Sequence, residues 1–127
     1  MAGFFYPGEA KALLGAVDAA LGACARGAPK KAIAAVMPHA GYVYSGATAG
    51  AVAAAVEVPA RVIGLGPKHT RQGTRVAVPT ASAWRFPFGD VPIDREMADA
   101  LAATGLFSRD DAAHRDEHSL EVEVPFL

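Results

Sequence analysis

Ala32-Ile33-Ala34-Ala35-Val36-Met37-Pro38-His39 and Arg61-Val62-Ile63-Gly64-Leu65-Gly66-Pro67-Lys68-His69 decide how this sequence is to be folded. Each opens on a short apolar run without alternation and closes on a proline, the pattern of a strand buried on both faces. Between them Ala47 to Val56 reads as a helix, so strand, helix and strand follow one another within about thirty-five residues, the span of a parallel βαβ unit. Ligands of open parallel sheets bind beyond the carboxyl ends of the strands, where the connecting loops converge. Because each run ends in proline and then histidine, neighbouring strands would bring His39 and His69 out at the same sheet edge.

Outward from that unit, Glu9 to Arg26 places Leu13, Leu14, Val17, Ala20, Leu21 and Cys24 at spacings of three and four. That spacing predicts a helix with one apolar face, stopped at Gly27, with Cys24 as inert core. Arg75 to Pro79 alternates, and Trp84 to Ile93 is aromatic with turn formers inside it, which reads as an antiparallel excursion or hairpin. Asp94 caps a further helix to about Thr104, with Met97, Leu101 and Ala98 inward, and Gly105 ends it. In the last segment Leu120, Val122 and Val124 alternate with Glu121 and Glu123, which is strand periodicity, whereas Ser119 ahead of the glutamates would also open a helix. On the strand reading the two glutamates form a solvated face.

The chain has 127 residues, the size of one domain, and is 52% hydrophobic and 20% charged, which excludes a disordered chain. Twelve basic residues against thirteen acidic ones leave a net charge of -1, so no basic excess exists to hold nucleic acid. The one cysteine permits neither an internal disulfide nor a zinc finger, and no apolar stretch is long enough for a membrane span or export signal. A cytoplasmic protein without nucleic-acid or membrane partners is expected.

The chemistry rests on the histidines. His39 and His69 each follow an apolar run in a Pro- and Gly-rich loop, where secondary structure gives no reason for an imidazole. Two imidazoles from different strands offer two positions on a metal. Zinc catalysis usually needs three protein ligands, and non-haem iron takes two histidines and a carboxylate. Glu117 and Glu121 are candidates for the third ligand, and His118 for a ligand or a proton-transfer group. Gly41-Tyr42-Val43-Tyr44-Ser45-Gly46 reads as a loop with two phenols able to bond a substrate. It has the glycine spacing of a P-loop but lacks the following lysine.

Five ordered blocks of this chain resemble the Memo family. They are Ala2-Gly3-Phe4-Phe5-Tyr6-Pro7, Pro38-His39-Ala40-Gly41-Tyr42-Val43-Tyr44-Ser45-Gly46, Gly66-Pro67-Lys68-His69-Thr70, Phe86-Pro87-Phe88-Gly89, and Glu117-His118-Ser119-Leu120-Glu121-Val122-Glu123-Val124-Pro125-Phe126-Leu127. The resemblance implies an α/β fold, a mainly parallel sheet flanked by helices, similar to the catalytic subunit of class III extradiol dioxygenases. These are non-haem-iron enzymes that cleave catechol rings. It implies His39 and His69 as metal ligands, with iron the expected metal and copper or zinc as alternatives. It also favours a helix over a strand for the last block. Bacterial and archaeal relatives are associated with a radical-SAM companion, and animal members with cell-motility signalling.

Residues 1–127 correspond to the N-terminal half of the family length. The second half of relatives carries a Ser-Ser-Asp-x-x-His-type segment and a later cysteine or carboxylate near the metal, and neither is in this sequence. That reads as a truncated product or the first half of a split protein. Lys68 stands where relatives usually have a small polar residue, and an ammonium aimed at the site would oppose a cation. A sheet cut after a few strands leaves an open edge and an uncovered apolar face, so a homo-oligomer or a partner chain supplying the missing half is expected. Two functions follow. One is a binding or scaffold module with a two-histidine metal or small-molecule pocket. The other is a dioxygenase-like enzyme, whole or split, with His118 and Glu117 as catalytic groups. We assign substrate binding to Tyr42, Tyr6 and Lys68.

Overall fold

The computed structural model describes residues 1–24 and 27–127, and the extension of the first helix to Arg26 and the packing of the Cys24 side chain lie outside what it describes. Helix α1 spans Ala10–Cys24 and α2 spans Tyr42–Ala55. These two helices form the principal packed unit, together with the N-terminal segment and the C-terminal turns. The predicted apolar stripe of α1 supplies Leu13 and Val17 as buried residues, with Ala20 and Leu21 against the same cluster, while Leu14 stays about half exposed. Burying a leucine such as Leu13 contributes about 1.5–3 kcal/mol.

Helix α2 begins one turn earlier than the sequence predicts, at Tyr42 rather than Ala47. Tyrosine and valine are weak helix formers, but here packing outweighs propensity. The Tyr42 ring lies 5.0 Å from that of Phe126, and its hydroxyl donates to the Val122 carbonyl at 3.1 Å. Gly46, Ala49, Gly50 and Ala53 form the buried stripe of α2. A Cβ on Gly50 would stand 2.5 Å from the Ala20 carbonyl carbon, so glycine is what lets the two helix backbones approach this closely.

The sheet content is small and mixed. Strands β1 (Ala77–Val78) and β4 (Ser108–Arg109) pair in parallel, Ala77 with Ser108 and Val78 with Arg109. Strands β2 (Ala83–Phe86) and β3 (Gly89–Pro92) make the predicted hairpin, turning through Pro87 and Phe88. Between β3 and β4, helix α3 runs over Arg95–Ala103. As expected, Asp94 caps it by accepting from the Met97 N–H at 3.0 Å, and Ala98 is its buried residue. The chain is thus α/β, with a parallel pair that joins residues thirty-one apart rather than the two predicted strands.

The two runs that suggested a βαβ unit take no regular secondary structure and form no ladder among the described residues. A single parallel bridge, Lys30 with Val56, is all that ties the first to the α2 terminus. Ile33, Val36 and Leu65 are almost fully exposed. A buried strand needs a hydrogen-bonded neighbour and covering layers on both faces, and among the described residues the runs have no strand partner and are not covered on both faces. The second run borders an open depression of about 1150 Å³ lined in part by Val62, Leu65, Val76 and Leu120.

The final segment is not a strand either. Backbone bonds from Val122 to His118, Val124 to Leu120 and Phe126 to Glu123 wind residues 118–127 into helical turns that end in a 3-10 turn, Val124–Phe126. Val122 and Phe126 thereby enter the core with Tyr6, Leu13, Val17, Ala49, Ala53 and Phe86. Among the described residues no helix is long and apolar enough to cross a membrane.

Candidate functional site

Three imidazoles meet where the two runs end. The ring centres of His39 and His69 lie 5.3 Å apart, those of His39 and His118 6.0 Å, and those of His69 and His118 4.5 Å. His39 and His69 are therefore close in space, but not at the expected sheet edge, because the runs carrying them are unpaired. His118 arrives from the C-terminal turns, seventy-nine residues after His39 in sequence. The fourth histidine, His114, is elsewhere, beside Trp84 at 5.9 Å, and burial pushes its pKa down.

The chain reaches this geometry through local contacts that can be traced. Gly66 crosses residues 119–120 so closely that a Cβ would stand 2.8 Å from the Ser119 hydroxyl. That hydroxyl, fully buried, donates to the Pro67 carbonyl at 2.7 Å and ties the His69 loop to the His118 turn. Asp116 takes a left-handed backbone, φ 58°, which turns the chain so that Glu117 faces inward. Phe5 stacks on the His118 ring at 4.1 Å and closes its outer side. At the far end of the His69 run, Arg61 holds Asp94 and Glu96 at the start of α3.

Glu117 is nearly buried at 8% exposure and has four donors around its carboxylate. Oε2 accepts the His69 backbone N–H. Oε1 accepts from His69 Nδ1 at 2.9 Å, the His118 N–H at 2.9 Å and the Ser119 N–H at 3.0 Å. Burial works against its charge, yet the bonds from His69 and Ser119 together outweigh it and hold the carboxyl at about 2. Burial and the neighbouring imidazole of His69 push the His118 pKa down, which favours its neutral, lone-pair-bearing ring beside the Glu117 carboxylate. Donor atoms of His69, Glu117 and His118 lie within 4.8 Å of one another, and His39 stands just outside that closest group.

The residues assigned to substrate take structural parts. The Tyr6 hydroxyl donates to Glu121 at 2.6 Å, and Glu121 also pairs with the N-terminal amine at 3.0 Å. Glu121 is therefore an anchor of the N-terminal segment, neither a face left to solvent nor a member of the imidazole cluster. Tyr42 binds the Val122 carbonyl, and burial raises the pKa of both phenols. Lys68 turns away, its ammonium donating to the Gly73 carbonyl at 3.2 Å, so the expected conflict with a cation is relieved inside its own loop. Phe5 was not singled out from the sequence, because no spacing rule connects residue 5 with residue 118. Its place in the aromatic N-terminal block was the available signal.

Comparison with known proteins places the whole chain in one group. The profile of the Memo family, described as Memo-like protein, matches residues 1–127. A MEMO1 family protein of Aquifex aeolicus is 41% identical over 130 residues, covering 100% of this chain and 47% of the relative. One of Archaeoglobus fulgidus is 44% identical over 135 residues, and one of Methanococcoides burtonii 42% over 130, with the same coverage. The chain spans about half the length of the curated relatives it matches.

Proposed function

The chain belongs to the Memo family, and from that premise we propose that it is a binding module whose pocket holds one cation on the imidazoles of His39, His69 and His118. The observation that carries this reading is the convergence of three imidazoles, from three separate segments, within 6.0 Å. Imidazole suits iron, copper and zinc, and iron is the first expectation, with His39 and His69 as the principal ligands. The donor chemistry fits, since three imidazoles converge and a nearly buried carboxylate lies beside them, with the Lys68 ammonium turned to the Gly73 carbonyl. Such a cation would supply Lewis acidity toward an oxygen ligand of a small molecule.

The chain's own groups serve binding more than proton transfer. Tyr6 and Tyr42 hold the turn that carries His118, and the Phe5 ring shields that imidazole from water. Metal content by plasma mass spectrometry, on protein purified without a histidine tag, tests the reading. Near one metal per chain is expected in the wild type and none in the His39→Ala/His69→Ala variant. A wild type as empty as the variant overturns it.

The open apolar face supports a second reading, in which the same pocket serves a dioxygenase-like enzyme completed by a further polypeptide. Ile33, Val36 and Leu65 are exposed on runs that end at the site histidines, and the chain spans about half of its relatives. Oxygen uptake with catechols that appears only on adding the remaining half of a relative would favour it. Uptake unchanged by that addition counts against it.

A further inference from the structure

Glu117 stands among the three groups whose donor atoms lie closest together, and proximity alone would make it a ligand. Its Oε1 is already fully engaged. An ionised carboxylate offers about four acceptor directions. Here His69 Nδ1, the His118 N–H and the Ser119 N–H crowd onto Oε1, and Oε2 accepts the His69 backbone N–H. A cation at Oε1 would have to displace the His118 and Ser119 N–H donors in this nearly buried place, and an orphaned buried donor is costly.

We infer that Glu117 is a positioning residue: it holds His69 as the Nδ1–H tautomer, so that Nε2 is the nitrogen presented to the pocket, and it clamps the His118 turn with the same carboxylate. The inference rests on the imidazole pocket proposed above. An anion cannot donate, so the 2.9 Å contact requires a proton on His69 Nδ1 and leaves the lone pair of the neutral ring on Nε2. The bonds to the N–H groups of His118 and Ser119 tie that ring's anchor to the segment bearing the stacked His118 ring. One carboxylate thus orients the His69 imidazole and anchors the backbone that carries His118, forty-nine residues on, the kind of arrangement by which outer-shell carboxylates fix metal-binding histidines. Two of the four bonds are to backbone N–H groups of residues 118 and 119. They depend on the fold of the turn rather than on side-chain identity there.

The test is nitrogen-15 long-range correlation NMR on chelator-treated protein at pH 8, followed by titration with zinc ion alone. In the wild type His69 is expected as Nδ1–H. In Glu117→Ala it should shift toward Nε2–H, the form preferred by a free imidazole, with the amide signals of α1 and α2 unchanged as the check on folding. Glu117→Gln keeps a carbonyl oxygen and should retain Nδ1–H if that oxygen faces the ring. Zinc affinity should fall about 10- to 100-fold in the alanine variant. An Nε2–H tautomer in the wild type, or a tautomer indifferent to Glu117→Ala in a folded chain, overturns the positioning role whatever the metal content. A wild type that binds no zinc but shows the tautomer shift overturns the cation reading and supports the role of Glu117.

Discussion

The unit made by α1, α2 and the C-terminal turns, and the two runs 32–37 and 61–66, draw on equally apolar sequence, yet only the first buries most of it. Leu13 and Val122 are 0% and 2% exposed, whereas Ile33 is as exposed as in an open chain. The difference lies in what each element needs. A helix satisfies its own backbone and has only to lay one stripe on a neighbour, and α1 finds the small-residue stripe of α2. An extended run must find another strand for its N–H and C=O groups before its side chains can be covered. Apolar character is therefore a request for burial that local structure can answer in one case and not in the other.

The largest effect that sharpens this contrast belongs to the packed unit. Leu13→Ala should cost about 2–5 kcal/mol, read from the urea midpoint, because its fully buried site can collapse only partly. Gly50→Ala comes next at about 1–3 kcal/mol, since the added methyl meets the α1 backbone at Ala20 and the helices must part. If Gly50→Ala were neutral, the close helix approach would not be a feature of the protein in solution.

Between the two regions lies the Glu117 clamp, and acid titration probes it. Its folded pKa of about 2 is below the ordinary 4.5, so between those values the unfolded chain binds more protons. The stability it contributes is complete above about 4.5 and is lost as pH falls through about 2. Glu117→Gln should flatten that acid limb in a series of urea melts. An unchanged limb would mean that the four bonds to the carboxylate carry no weight.

Smaller effects follow where there is room. Gly15 lies on the exposed side of α1 with nothing near a built Cβ, so Gly15→Ala should stabilise by about 0.5–1 kcal/mol in thermal melts. Ile33→Ala should change stability by less than about 0.5 kcal/mol in the chain alone. A large loss there would break the comparison, because it would show that the run is buried in solution by a second copy or another chain. Sedimentation over a range of protein concentrations would tell which.

Much of the helical part was legible because it is written locally. The three-and-four spacing of Leu13, Val17 and Leu21 and the Asp94 cap need only neighbours within a turn or two. The early start of α2 was not, because the ring of Tyr42 wins its place from Phe126, and no periodicity reports a contact eighty-four residues away. The glutamates of the last block misled for the same reason. Glu121 looks like a solvated face until Tyr6 and the N-terminal amine are found against it.

For the site, residue type and position after an apolar run were enough to single out His39 and His69, and the five ordered blocks were enough to point to the Memo family. Such marks survive in one dimension because each is a choice of chemistry at a fixed place in the chain. Which groups meet was decided by tertiary structure. His118 joins the imidazoles, Lys68 turns to Gly73, and Glu117 becomes the hub between two loops only after Gly66 and Ser119 pack together. Convergence of this kind depends on distances between segments far apart in sequence, and those distances exist only once the core has closed.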